Sequence, residues 1–409
     1  MDKAKKGCMI MSVLERFLKY VSFDTKSSVE SATFPSTDKQ LVLGKYLAEE
    51  LKTIGLQDTV LDENGYVYGF LPASNGRESD PAIGFVAHMD TSPDVSGENV
   101  KPQIITYEGG NIQLPHAVLT TRNFPYLSDY IGQQLVLTDG STLLGADDKA
   151  GIAEILTACE YLVQHPEVSH RAVAVCITPD EEIGCGADRF PYDRFAAKEA
   201  YTVDGCELGE IEYENFNAAS AVVQIIGRNI HPGAAKNKMK NAVLLAAGFV
   251  SHMPPAETPA HTEGYEGFYH ISDISGNESA ATIKMIIRDH DMDKFQARKA
   301  FVENLVAYLN TRDGEDTYQL TLKDSYFNMK EKILPVMHLI ENAKAAMVSV
   351  GVTPKIVPIR GGTDGARLSY EGLPCPNLST GGMNAHSVHE FVPVEALEKM
   401  TQVVIELTK

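Results

Sequence analysis

Apolar residues recur at helical spacing at Leu14, Phe17, Leu18 and Val21, and again at Leu43, Leu47, Leu51 and Ile54, where Gly55 stops the pattern. Each series predicts an amphipathic helix, the second closed by a glycine. The period then changes. Residues 82–87, 135–137, 172–177 and 201–203 are short apolar runs of strand type, and a helical stripe of Ile152, Ile155 and Leu162 falls among them. Strands alternating with helices predict an α/β fold, a mostly parallel sheet flanked by helices on both faces.

After about Asn217 the pattern changes again. Residues 221–226 read as a strand, and Asn241 can cap a helix carrying Leu244, Leu245 and Phe249. Residues 268–271 and 282–287 read as strands on either side of the turn Ser275-Gly276-Asn277. Phe295, Val302, Leu305 and Leu309 form a helical stripe, and Tyr318, Leu320 and Leu322 alternate as a last strand. The order β-α-β-β-α-β predicts a ferredoxin-like unit. We read residues 216–326 as an inserted lid domain, and 1–215 with 327–409 as one catalytic domain that resumes in helices near 335–350 and 394–407. A chain of 409 residues exceeds one ordinary core, which agrees with two domains.

Composition narrows the function classes. Hydrophobic residues make up 44% and charged residues 22%, an ordinary globular balance. The net charge of -19 opposes binding to nucleic acid or to an anionic membrane, so neither is expected as a partner. Six cysteines without a CxxC pair, mostly in or after apolar runs, read as free thiols of a reducing, cytoplasmic setting. No apolar stretch is long enough to span a membrane, and no apolar core of signal-peptide type follows the basic start.

The candidate chemistry lies in five motifs in one order: His88-Met89-Asp90, Asp147-Asp148, Glu181-Glu182, Asp204 and His386. The first four sit at or just past the strand-like runs, and side chains at strand ends converge on one edge of an α/β sheet. Two imidazoles with several carboxylates suit a pair of zinc-like ions. Each motif also has a plainer meaning. His88 alone reads as a structural histidine, Asp147-Asp148 as a helix cap, and Asp180-Glu181-Glu182 as a solvated acidic turn. The ordered set points to metal-assisted hydrolysis, in which one glutamate binds metal while its neighbour takes a proton from water.

These motifs, with Glu214-Asn215-Phe216-Asn217-Ala218-Ala219 and Ile359-Arg360-Gly361-Gly362-Thr363-Asp364-Gly365, resemble the M20 family of metallopeptidases from Glu15-Arg16-Phe17-Leu18 to the last helix. Within it the resemblance is to the tripeptide aminopeptidases. It implies a zinc-peptidase-like fold and two Zn2+ ions per subunit. Asp147 would bridge the ions, His88 and Asp204 would complete one shell, and Glu182 and His386 the other. Glu181 would be the general base, with Asp90 orienting His88. His231, from the lid, would polarise the scissile carbonyl, while Asn241, Arg288 and Arg360 would hold the far end of the peptide. It also implies an unusual, cis backbone at Asp147-Asp148.

The implied partners are short peptides with a free N-terminus, chiefly tripeptides, and a homodimer is compatible with the pattern. The family often carries aromatics just before the last metal-binding histidine. Met383 and Ala385 stand there instead, which bears on side-chain preference rather than on metal binding. Residues 1–10 read as an extension, with Met11 an alternative start. The rival readings are a related amide hydrolase, such as an N-acyl amino acid deacylase or dipeptidase, and a lapsed member that only binds peptide or metal.

Overall fold

The computed structural model describes residues 11–409, so the expected extension over residues 1–10 lies outside the described residues. The chain divides into two compact units. The first runs to Tyr213 and resumes over Glu331–Val357 and Thr363–Lys409; the second is Glu214–Lys330 with Pro358–Gly362. The short segment Pro358–Gly362, which the sequence pattern left in the first domain, therefore belongs to the second. There Ile359 N–H donates to Glu214 O (2.8 Å) and the His290 ring meets Ile359 O (3.0 Å).

The first unit is built on an eight-stranded sheet. Its spatial order is Gln57–Leu61, Val67–Leu71, Val173–Thr178, Ile83–His88, Ala200–Gly205, Asn377–Ser379, Glu210–Glu212 and Lys355–Ile356. The middle of the sheet is parallel: Ile83–His88 pairs on both sides with parallel neighbours, Val173–Thr178 and Ala200–Gly205. Antiparallel pairings lie toward the edges, so the whole sheet is mixed. Ile83–His88 and Val173–Thr178 are buried at every residue, as expected of parallel strands covered on both faces. That burial explains their continuous apolar runs. The helix Ala146–Gln164 packs on the central strands and against the last helix, Val394–Thr408. The early helix Asp38–Ile54 ends where expected, with Gly55 in the left-handed region at φ 110° and its N–H on Leu51 O.

One expected strand sits elsewhere. Gln134–Leu137 joins a separate three-stranded antiparallel sheet with Phe391–Pro393 and Gln103–Thr106. Asp147 is therefore not carried by the end of a main-sheet strand. It stands at the start of Ala146–Gln164, after a loop that brings the chain back from the small sheet.

The second unit is one antiparallel sheet in the order Phe268–Gly276, Ala280–Asp289, Asn217–Ile226, Tyr318–Tyr326, with the helices Ala242–Ser251 and Met292–Asp313 packed on it. Its core joins Val223, Ile283 and Ile287 of the sheet to Phe249, Phe295 and Leu309 of the helices. The chain order and the spatial order together are those of a ferredoxin-like unit. Three asparagines lace its two ends. Asn215 N–H donates to Asn328 Oδ1 (3.1 Å), Met329 N–H to Asn215 Oδ1 (2.7 Å), and Asn328 N–H to Asn217 Oδ1 (2.9 Å).

Candidate metal centre

Parallel strand ends place the first histidine. His88 closes Ile83–His88 level with Thr178 on the neighbouring strand, and its backbone N–H donates to Asp148 Oδ2 (3.0 Å). Its ring is buried and faces three acids. Nε2 lies 2.8 Å from Asp147 Oδ1 and 3.3 Å from Asp204 Oδ1, while Nδ1 lies 3.1 Å from Asp90 O and 3.4 Å from Asp90 Oδ1. Asp204 comes from Ala200–Gly205, the parallel neighbour on the other side.

The second histidine, His386, sits in a turn at φ 60°. Its Nε2 lies 2.7 Å from Glu182 Oε2 and 3.3 Å from Asp147 Oδ2. Asp147 thus offers one carboxylate oxygen to each histidine. Donor atoms of His88, Asp147 and Glu182 lie within 4.8 Å of one another, as do those of His88, Glu181 and Asp204.

The two adjacent aspartates divide the two meanings the sequence left open. Asp147 faces the histidines, whereas Asp148 is fully buried, holds His88 N–H with one oxygen and caps the helix at Gly151 N–H (3.2 Å) with the other. The peptide bond between them is cis. The acidic turn divides in the same way. Asp180 is bound by Ser36 N–H (2.6 Å), Ser36 Oγ (2.5 Å) and Gln40 Nε2 (2.6 Å), while Glu181 and Glu182 point into the cluster. Asp90 accepts the N–H groups of both glutamates, so it holds their turn as well as lying beside His88.

The charges are unbalanced in favour of carboxylates. Among the described residues the ion-pair partners of Asp147, Asp204 and Glu182 are His88 and His386, with no lysine or arginine. Burial and the Asp204 charge push Glu181 well above the ordinary carboxyl range. Burial and Asp147 push Glu182 up to about 8. Asp204 rises to about 6, chiefly through burial, against the pull of His88. Burial works against the charge of His88, but Asp204, Asp147 and Asp90 outweigh it and raise its pKa. Hydrogen bonds that the His386 ring donates to Asp147 and Glu182 raise its pKa to about 11. A cation entering such a cluster reverses the upward shifts of the carboxyls.

The donor set fits divalent cations of the zinc type: the imidazoles of His88 and His386 with the three carboxylates of Asp147, Glu182 and Asp204, and Glu181 beside them. Glu182 Oε1 supplies an independent sign. It is buried with no hydrogen-bond partner, a costly state that a cation relieves.

The sequence reading missed two buried acids beside the cluster. Asp364, at the start of the helix Asp364–Tyr370, accepts from Thr178 Oγ1 (3.0 Å). Glu390 accepts three backbone N–H groups of the loop that leads to Asp147. Neither carries a local signal, because each gains its meaning from a partner distant in sequence.

The four remaining candidates lie in the second unit. His231 is exposed at the start of a short turn, its Nδ1 accepting from Gly233 N–H (3.2 Å). Asn241 spends its Oδ1 on capping Ala242–Ser251, through Val243 and Leu244 N–H. Arg288 donates to Arg360 O (3.0 Å) and keeps a buried Nε without a partner. Arg360 donates to Gly264 O (2.7 Å), Glu266 O (3.0 Å) and Thr262 Oγ1 (2.9 Å), stacked over Phe216.

Comparison with known proteins identifies the family. The model of peptidase family M20/M25/M40 matches residues 142–409. The chain is 56% identical over 400 residues to peptidase T of Desulfitobacterium hafniense, covering 97% of each. Among solved structures it matches an aminopeptidase PepT from Bacillus cereus with TM-score 0.76 at 24% identity, covering 97% of both chains. It matches a tripeptidase from Staphylococcus aureus with TM-score 0.77 at 21% identity, again over 97% of both. The chain belongs to peptidase family M20/M25/M40, on its peptidase T branch, and is a hydrolase of the aminopeptidase kind.

Proposed function

We propose that the protein is a di-zinc aminopeptidase that releases the N-terminal residue of tripeptides. The observation that carries the reading is Asp147, which turns one oxygen to His88 and the other to His386. Asp147 would be shared by both ions, His88 and Asp204 would hold one, and Glu182 and His386 would hold the other. When bound, the ions supply Lewis acidity and bring water toward ionisation near neutral pH.

The protein's own groups do the rest. Glu181, held at its backbone by Asp90, takes a proton from the water that attacks the amide carbon and passes it to the amine that leaves. Asp90 fixes the His88 ring. His231 donates to the carbonyl oxygen as negative charge develops there. The second unit is a lid that brings His231 to the reaction. Asn241, Arg288 and Arg360 hold the far end of the peptide. Asn241 does so through its amide N–H groups, its oxygen being engaged as a cap. Arg288 has its Nε to offer. Arg360 must exchange some of its contacts with Thr262, Gly264 and Glu266 to join them.

Short peptides with a free N-terminus are the proposed substrates, and the five free thiols among the described residues, Cys159, Cys176, Cys185, Cys206 and Cys375, suit a reducing cytoplasm. Among the described residues no helix is long and apolar enough to cross a membrane.

The test compares a tripeptide with its N-acetylated form, with added zinc and with chelator. Rapid, metal-dependent release of the first residue from the free peptide alone is expected. Preference for the acetylated form would reassign the protein as a deacylase, and metal-independent hydrolysis would overturn the reading.

A further inference from the structure

Glu390 is 2% exposed and has no part in the reaction described above. Its carboxylate accepts the N–H groups of Leu144 (2.6 Å) and Gly145 (2.8 Å) on Oε2, and that of Asp147 (3.1 Å) on Oε1. The next residue, Phe391, pairs with Leu137 in the small antiparallel sheet. The loop that leaves Leu137 and delivers Asp147 is thus fastened at both ends to two consecutive residues. Phe391 also exchanges both backbone hydrogen bonds with Met383 (2.8 and 3.0 Å), closing the turn that holds His386. The turn bearing His386 and the loop bearing Asp147 are therefore tied together through one side chain.

The chemistry of the tie is specific. Three converging N–H donors need a group that only accepts, through two oxygens, and an ionised carboxylate is that group. A glutamine of the same shape turns an N–H₂ toward at least one of the donors. A buried carboxylate is otherwise costly, and here backbone donors compensate it.

We propose that Glu390 is a positioning residue: by clamping Leu144, Gly145 and Asp147 to the His386 turn, it sets the spacing of Asp147 and His386 and hence the affinity of the divalent ion they share. The proposal rests on the di-metal reading above.

The experiment titrates Zn2+ by calorimetry, against a competing chelator, into metal-stripped wild type, Glu390→Gln, His386→Ala and the double variant. Wild type should bind two ions. Glu390→Gln should weaken zinc binding roughly 10–100-fold, most at the ion that Asp147 and His386 share, the usual size of such supporting effects. In the His386→Ala background the same change should cost less zinc affinity than it does alone, because the ion it acts on most is already lost. Amide exchange adds a readout on the protein itself: Leu144, Gly145 and Asp147 should exchange faster in Glu390→Gln without metal.

If wild type binds no zinc, the di-metal reading falls. If wild type binds two ions and Glu390→Gln binds both unchanged, only this proposal falls, even where the melting temperature drops. Should Glu390→Gln fail to fold, exchange in wild type decides: zinc must slow the three amides together, and unchanged exchange overturns the clamp.

Discussion

Asp90 holds the turn of Glu181 from below: its Oδ1 accepts the Glu181 N–H at 3.0 Å and its Oδ2 accepts the adjacent Glu182 N–H at 3.2 Å. The same carboxylate lies 3.4 Å from His88 Nδ1, where the Asp90 backbone oxygen, at 3.1 Å, is the nearer partner. One fully buried acid thus supports ligands on both sides of the cluster. Asp90→Ala should therefore lower zinc affinity and kcat together, each on the order of 10–100-fold. Zinc titration and steady-state kinetics on one preparation check this. Loss of rate with both zinc affinities intact would limit Asp90 to orienting the base.

Glu181 and Glu182 are neighbours with separate tasks. Glu182 meets His386 at 2.7 Å, whereas the Glu181 carboxylate lies with His88 and Asp204. Glu181→Gln should nearly abolish turnover and keep two zinc ions, since proton transfer by a placed base is worth roughly 10²–10⁴-fold. Glu182→Gln should lose zinc affinity first. Metal content and rate measured together decide the matter, and an active Glu181→Gln enzyme would refute its role as the base.

Metal should also stabilise the fold. The carboxylates of the cluster have only imidazoles as ion-pair partners, and Glu182 Oε1 has no hydrogen bond. An ion that binds only the native state adds RT ln(1 + [L]/Kd), about 4 kcal/mol at a thousandfold excess over Kd. Chelator should lower the melting temperature and zinc should restore it. A melting temperature indifferent to both would speak against a site made of these residues.

Glu154 offers a test away from the cluster. It is fully buried in Ala146–Gln164, neither carboxylate oxygen has a partner, and burial pushes its pKa well above the ordinary carboxyl value of 4.5. The folded chain therefore holds this proton more tightly than the unfolded chain. The sign follows: stability is fully present below the ordinary carboxyl pKa and is lost as pH rises from there toward the folded value. Glu154→Met should raise stability at neutral pH by on the order of 1–3 kcal/mol, the cost of an unsatisfied buried polar group. The gain should shrink as pH falls to about 4. Melting curves across that range check it, and a gain independent of pH would point to packing alone.

How much of this was legible in the sequence depended on how local each signal was. Buried parallel strands such as Val173–Thr178 appear as unbroken apolar runs, and a helix end such as Gly55 shows its glycine. The edge strands Gln57–Leu61 and Lys355–Ile356 were not recognised, because half-exposed or very short strands carry little pattern. The residues 135–137 were read correctly as a strand but not in their sheet, since pairing with Phe391–Pro393 depends on a partner far along the chain. In the cluster, the motifs His88-Met89-Asp90, Asp147-Asp148, Glu181-Glu182, Asp204 and His386 stand out by residue type. The division of labour between Asp147 and Asp148, and the clamp by Glu390, depend on contacts that no spacing expresses.

His231 gives the last test. Gly233 N–H donates to its Nδ1, so a neutral ring carries its proton on Nε2, where it can be donated to a carbonyl oxygen. The residue belongs to the second unit, and the proposed metal ligands to the first. In the proposed reaction His231 reaches the substrate if the lid closes, or if a partner subunit supplies it, and closure would then be a gate on catalysis. Removing one such donor commonly costs on the order of 10²–10³ in kcat. His231→Ala should show that loss while keeping two zinc ions and an unchanged melting temperature. If the lid closes as proposed, tripeptides should be cleaved far faster than peptides of about ten residues sharing the same N-terminus. Equal rates on long and short peptides would remove the closure argument, and a silent His231→Ala would remove the residue from the reaction.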